Sequence, residues 1–186
     1  VTSLTTKDSN EKAAQQKKEN IAEQNNEEED EEDMHPLLLK LFEFLLDVHS
    51  AKERSVRFRV CQLVTQLLHN LGEGAKIDDE LYDRIYQCMV ERLRDKCPLV
   101  RVHAVLSLKR LQDPTDENCP ITKAYIMLMT RDPNAEVRRI ILTSIAASTF
   151  SLPSILERTR DVKDTVRRTA FTVIAEKIPL RSLSFE

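Results

Sequence analysis

Asp95-Lys96-Cys97-Pro98-Leu99-Val100-Arg101, Asp132-Pro133-Asn134-Ala135-Glu136-Val137-Arg138 and Asp161-Val162-Lys163-Asp164-Thr165-Val166-Arg167 are one pattern written three times. An Asp stands six positions before an Arg, and a Val precedes the Arg each time. A fourth Val-Arg pair, Val56-Arg57, departs from the pattern by carrying Ala51 where the Asp would stand. Successive Val-Arg pairs are 44, 37 and 29 residues apart. The first two intervals suit a repeat built from two helices and a turn, and the third is a compressed version of it.

The residues around each copy have helical spacing. Leu37, Leu38, Leu41, Phe42, Leu45 and Leu46 form one broad stripe behind Pro36, and Val56, Val60, Leu63, Val64, Leu67, Leu68 and Leu71 form the next, which stops near Gly72 and Gly74. Asp78 caps a helix carrying Leu81, Ile85, Met89 and Leu93, and Pro98 opens another through Val100, Ala104, Leu108 and Leu111. Ile121 to Met129 and Glu136 to Ala147 read as a third pair, followed by a short helix after Pro153 and a longer one from about Lys163 to Ile178. The Asp-x-x-x-x-Val-Arg pattern resembles the HEAT-repeat signature. The expected fold is therefore all-α, a solenoid of stacked antiparallel helix pairs, with repeats over 35–74, 75–113, 114–149 and 150–186. An Asp in a turn and an Arg at the start of the next helix can pair within or between repeats, so Asp95, Arg101, Asp132, Arg138, Asp161 and Arg167 are read as a structural ladder, with Arg57 beside them.

Composition agrees with helices. The 186 residues include only 2 Gly and no Trp, and aromatics make up 5%. No apolar run is long enough to span a membrane and no signal-peptide core is visible, so no membrane partner is expected and the nucleus or cytoplasm is the expected location. The lack of an initiator Met suggests a start inside a longer protein. Cys61, Cys88, Cys97 and Cys119 form no Cys-x-x-Cys pair and read as small hydrophobes, without a disulfide or structural zinc. The net charge of −3 hides a split. Val1 to Met34 hold 4 Lys against 11 Asp or Glu, and the remainder holds 24 basic against 20 acidic residues. Glu27 to Asp33 are seven consecutive acids, which repel one another and bury no apolar surface, so 1–34 is expected to be a disordered acidic segment.

Residues that would carry catalysis are missing. His35, His49, His69 and His103 are scattered and none is followed by Glu, so the His-Glu pair of metal-dependent hydroxylases with HEAT-like folds is absent. HEAT-like DNA glycosylases rely on aromatics around an extruded base, which a chain without Trp supplies poorly. No phosphate-cradling Gly-rich loop or Gly-x-Ser-x-Gly elbow is present, and no cofactor is expected. What remains is basic. Arg59, Lys96, Lys109, Arg110, Arg139, Lys163 and Arg168 lie on or beside the second helices, outside the ladder, where they could form a stripe facing phosphates. The paucity of aromatics disfavours single strands, so duplex DNA is the expected ligand.

Longer strings carry a closer likeness. Val56-Arg57-Phe58-Arg59-Val60-Cys61, Arg110-Leu111-Gln112-Asp113-Pro114, Glu136-Val137-Arg138-Arg139 and Arg158 to Arg168 resemble the amino-terminal region of the CAP-G family of condensin HEAT-repeat subunits. The resemblance covers about His35 to Ser184. It implies a non-catalytic scaffold that binds the kleisin subunit CAP-H, shares with it a basic groove for double-stranded DNA, and works with the SMC ATPase subunits on chromosomes. It also implies that 1–34 is an internal insertion, with Val1 to Leu4 ending a preceding helix. A protein-binding HEAT scaffold of transport or phosphatase type remains the alternative, and acidic or apolar residues would then line the ligand side.

Overall fold

The computed structural model describes residues 34–71 and 77–178. Among the described residues every regular element is helical. The helices are α1 (Pro36–Asp47), α2 (Arg54–Asn70), α3 (Asp79–Arg92), α4 (Pro98–Leu108), α5 (Pro120–Arg131), α6 (Ala135–Ser144), α7 (Leu152–Glu157) and α8 (Asp164–Lys177). Short 3-10 turns at Lys109–Leu111 and Arg158–Arg160 extend α4 and α7. The acidic segment, Val1 to Leu4 and the expected glycine stop at Gly72 and Gly74 lie outside the described residues.

Local chemistry sets the helix starts. Pro36, Pro98 and Pro120 each occupy a first-turn position that needs no amide donor. Asp78 accepts from the Leu81 amide at 2.7 Å, and Asn134 accepts from the amides of Glu136 and Val137 at 2.9 and 3.3 Å. One end differs from the sequence expectation, since α6 stops at Ser144 and not at Ala147. Gln112 explains it. Its Nε2 donates to the Ser144 carbonyl at 2.8 Å and its Oε1 accepts from the Ala146 amide at 2.9 Å, so a neighbouring pair's side chain takes both groups that another helical turn would have used.

The second helix of each pair stacks on its counterpart in the next, α2 on α4, α4 on α6 and α6 on α8. Each also packs against its own first helix, so the apolar stripes close into one core. Phe42, Ile85, Val100, Met129, Val137 and Val166 are fully buried there. Tyr125 is buried as well, and its hydroxyl donates to the Val105 carbonyl at 2.5 Å, which joins the second and third pairs. Burial pushes its phenol well above the usual range. The stacking places all the intra-pair turns along one edge and the loops between pairs along the opposite edge.

Candidate functional site

Along the turn edge Arg57, Arg101 and Arg138 each divide a guanidinium between two repeats, whereas Arg167 meets only its own turn among the described residues, the carbonyls of Asp161 and Val162 at 2.8 and 3.2 Å. The Nη1 of Arg101 donates to the carbonyl of Asp95 in its own turn at 2.7 Å, while Nε and Nη2 clasp the carboxylate of Asp132 in the next pair, both at 2.8 Å. Arg138 repeats this with the Asp132 carbonyl at 2.7 Å and the Asp161 carboxylate at 2.8 Å twice. Arg57 reaches Asp95 at 2.6 and 3.2 Å, and its Nη1 meets the carbonyls of Ala51 and Lys52 at 2.8 Å. The six-residue offset thus reflects a main-chain carbonyl, which any residue supplies. That is why Ala51 serves Arg57 as well as an Asp would.

The carboxylates are further fixed by backbone amides two residues on, from Cys97, Asn134 and Lys163, at 2.8 to 2.9 Å. At Asp95 burial pushes the carboxyl up, but hydrogen bonds from Arg57 and the Cys97 amide and the charges of Arg57 and Arg92 together hold it below the usual range. At Asp161 the Arg138 hydrogen bond is the largest influence and again holds the carboxyl low. Sequence reading missed two contributors here. Arg92 and Arg158 stand three residues before Asp95 and Asp161, touch those carboxylates at 3.3 and 3.5 Å, and reach back to the carbonyls of His49 and Met129, both at 3.4 Å. An Arg-x-x-Asp spacing was their only sequence signal.

The seven cations proposed for DNA fall at three levels. Lys96 and Lys163 sit in turns before α4 and α8, Arg59, Arg139 and Arg168 sit within the second helices, and Lys109 and Arg110 sit in the 3-10 turn after α4. Their availability differs. Arg110 donates to the carbonyls of Leu68 and Leu71 at 2.5 and 3.0 Å and so caps the end of α2. Arg59 donates to Gln62 at 2.7 Å and lies 5.7 Å above the Phe58 ring. Arg139 is held by Glu136 at 2.6 and 2.8 Å. Arg168 is exposed and its guanidinium meets no acceptor among the described residues.

The structure brings Arg139 and Arg168 together with Lys177, which sequence reading overlooked, around a cleft of about 300 Å³ between α6 and α8. Thr143, Thr169 and Thr172 line the same cleft. The Lys177 Nζ donates to the Thr143 carbonyl at 2.9 Å; desolvation, then the nearby charge of Lys109, pulls this ammonium below its usual range. Arg59 stands outside that register, two positions after its ladder arginine where Arg139 and Arg168 stand one after theirs, and its counterpart on α4 is His103, set edge-on to Phe58 with ring centroids 5.1 Å apart. Burial lowers the His103 pKa. Among the described residues there is no cluster of metal-binding side chains and no helix long and apolar enough to cross a membrane. The four cysteines are free, and burial pushes the Cys61 thiol up to about 12.

Searched against protein-family models, the chain matches none. It is 54% identical over 144 residues to condensin complex subunit 3 of Xenopus laevis, covering 77% of this chain and 14% of that protein. The human condensin complex subunit 3 is 51% identical over 148 residues, covering 80% of this chain and 15% of its own length. The chain belongs to the condensin complex subunit 3 family. Among solved structures, the Schizosaccharomyces pombe condensin Cnd3-Cnd2 subcomplex superposes with a TM-score of 0.73 at 32% identity, over 81% of this chain and 19% of that one. The HEAT-repeat fold of the condensin family and the all-helical architecture expected from the Val-Arg repeats therefore coincide. This chain spans about one seventh of the length of the subunit 3 relatives it matches.

Proposed function

We propose that this segment is a non-catalytic scaffold within condensin, holding the kleisin subunit and contributing a sequence-independent contact to the phosphates of duplex DNA on chromosomes. One observation carries the DNA contact: Arg139, Arg168 and Lys177 converge on an open cleft across two successive second helices, and Arg168 is free to meet an anion. The solved relative is a Cnd3-Cnd2 subcomplex, which supports the kleisin partnership for this chain. SMC ATPase subunits join through the complex, where ATP chemistry resides. Of the seven cations first singled out, Arg139 and Arg168 are the principal contacts, Lys96, Lys163, Lys109 and Arg59 are peripheral, and Arg110 is chiefly a helix cap.

Binding to a labelled duplex, followed by fluorescence anisotropy at several salt concentrations with the kleisin complex, tests this reading. Each phosphate contact contributes about 0.9 to the slope of log affinity against log salt, so reversing Arg139 and Arg168 to Glu flattens the slope by about 1.8 and weakens all duplex sequences alike. Unchanged affinity and slope in that double variant would place the DNA contact elsewhere. A pull-down with the kleisin, with and without DNA, separates the two partnerships.

A further inference from the structure

The turns between paired helices carry a second repeat besides the forks. Arg94, Arg131 and Arg160 each stand one position before a ladder Asp, at or just past the end of a first helix, and all three are exposed. Their guanidinium groups meet no acceptor among the described residues. The neighbouring acids are already engaged. Asp95, Asp132 and Asp161 are 6 to 8% exposed inside the forks, while Glu91, Glu136 and Glu157 pair with Arg92, Arg139 and Arg158. Asp164, in the first turn of α8, is exposed and meets no cation among the described residues, but Lys96 and Lys163 in the same turns outweigh it. Each turn also exposes an apolar residue after its Asp: Leu99 is 56% and Val162 86% exposed, and Pro133 is exposed in the turn between them. A helix dipole favours a cation at the helix end, which accounts for each arginine singly but not for the apolar residue that follows it.

We propose that the turn edge is a docking surface for an extended acidic peptide of a partner protein, which sets carboxylates on Arg94, Arg131 and Arg160 and apolar side chains against Leu99, Pro133 and Val162. The spacing suits this occupant. Helices stacked about 8–10 Å apart place successive turns about three residues of extended chain from one another, at about 3.3 Å per residue. The apolar residues decide between polyanions. A phosphate backbone would pair with the arginines and leave Leu99 and Val162 wet, whereas a peptide changes side-chain chemistry along its length and covers both. This row lies on the turns and stands apart from the cleft of Arg139, Arg168 and Lys177 between α6 and α8.

Fluorescence anisotropy with the full-length subunit bound to its kleisin tests the assignment. The probe is a labelled peptide of about nine residues with Asp at every third position and Leu between, and its control carries Asn for each Asp. The acidic peptide is expected to bind and the Asn control not. Changing Arg94→Gln, Arg131→Gln and Arg160→Gln together is expected to weaken the acidic peptide about tenfold, with the affinity for a labelled duplex and the thermal midpoint unchanged. Leu99→Ser with Val162→Ser is expected to weaken it about threefold. Equal binding of the Asn control, or of the triple arginine variant, overturns the proposal. So does loss of the duplex in that variant, which would make the edge a phosphate contact, and so does loss of the peptide on reversing Arg139 and Arg168, which would seat it in the cleft.

Discussion

Arg138 and Arg139 are consecutive in the chain and live in different environments. Arg138 is 6% exposed, shared between the Asp132 carbonyl and the Asp161 carboxylate, and belongs to the turn edge. Arg139 faces the cleft on α6 and, among the described residues, is met only by Glu136, one helical turn back on the same surface. The same split separates Arg167 from Arg168. Charge density cannot distinguish these neighbours, but register can: a rotation of about 100° per residue sends one guanidinium into the joint and the next toward solvent. A buried fork with two partners is a structural commitment, because removing one member strands the other's charge away from water. An exposed arginine with a local carboxylate partner contributes little to the fold and remains available to an anion.

The comparison breaks first at the fork. Arg138→Gln leaves the Asp161 carboxylate only the Lys163 amide and the 3.5 Å contact of Arg158 among the described residues, and is expected to cost about 3 kcal/mol, lowering the thermal midpoint by roughly 10 °C in a chain of this size. A melt shifted by less than the error of the instrument would show that the fork is decorative. Acid gives the second test. The folded-state pKa values of Asp95 and Asp161 are depressed, so their stabilisation is present above the unfolded value of about 4 and is lost as pH falls through the lower folded values. Denaturant midpoints between pH 7 and pH 2 are expected to hold nearly level and then drop below about pH 4. A drop centred near neutrality would point instead to the packed histidines.

Gln112→Ala removes both capping bonds at the end of α6 and is expected to cost about 1–2 kcal/mol, with faster hydrogen exchange at Ala146. Smallest of all is Arg168→Glu, expected to change stability by less than about 0.5 kcal/mol while weakening duplex DNA binding. If this variant unfolded the chain, the division between joint and cleft would collapse.

The helices were legible because their apolar stripes and first-turn prolines are local signals. Even the ladder residues stood out, through a six-residue offset that repeats. What the offset could not reveal was its direction. Arg101 binds the carbonyl of Asp95 and the carboxylate of Asp132, so the residues that share a turn in sequence are joined through backbone, and the ion pair crosses to the neighbour. Gln112, Arg110 and Lys177 were illegible for a related reason. Each reaches a carbonyl more than thirty positions away, and such a meeting depends on how pairs stack, not on spacing along one helix. The stripe of seven cations rests, in the sequence, on charge and on placement beside the second helices, and packing makes Arg110 a cap, gives Arg59 and Arg139 local partners and leaves the Arg168 guanidinium without an acceptor among the described residues.

The two edges of the stack are joined by different chemistry. Three clasps between opposite charges run along the turn edge, each tying two pairs, whereas at the opposite edge Arg110, Gln112 and Lys177 each bond two main-chain groups of a neighbouring pair. Lys177 holds the far margin of the cleft through the carbonyls of Thr143 and Ile145, so the joint between α6 and α8 there is a hydrogen-bonded ammonium and not a fork between opposite charges.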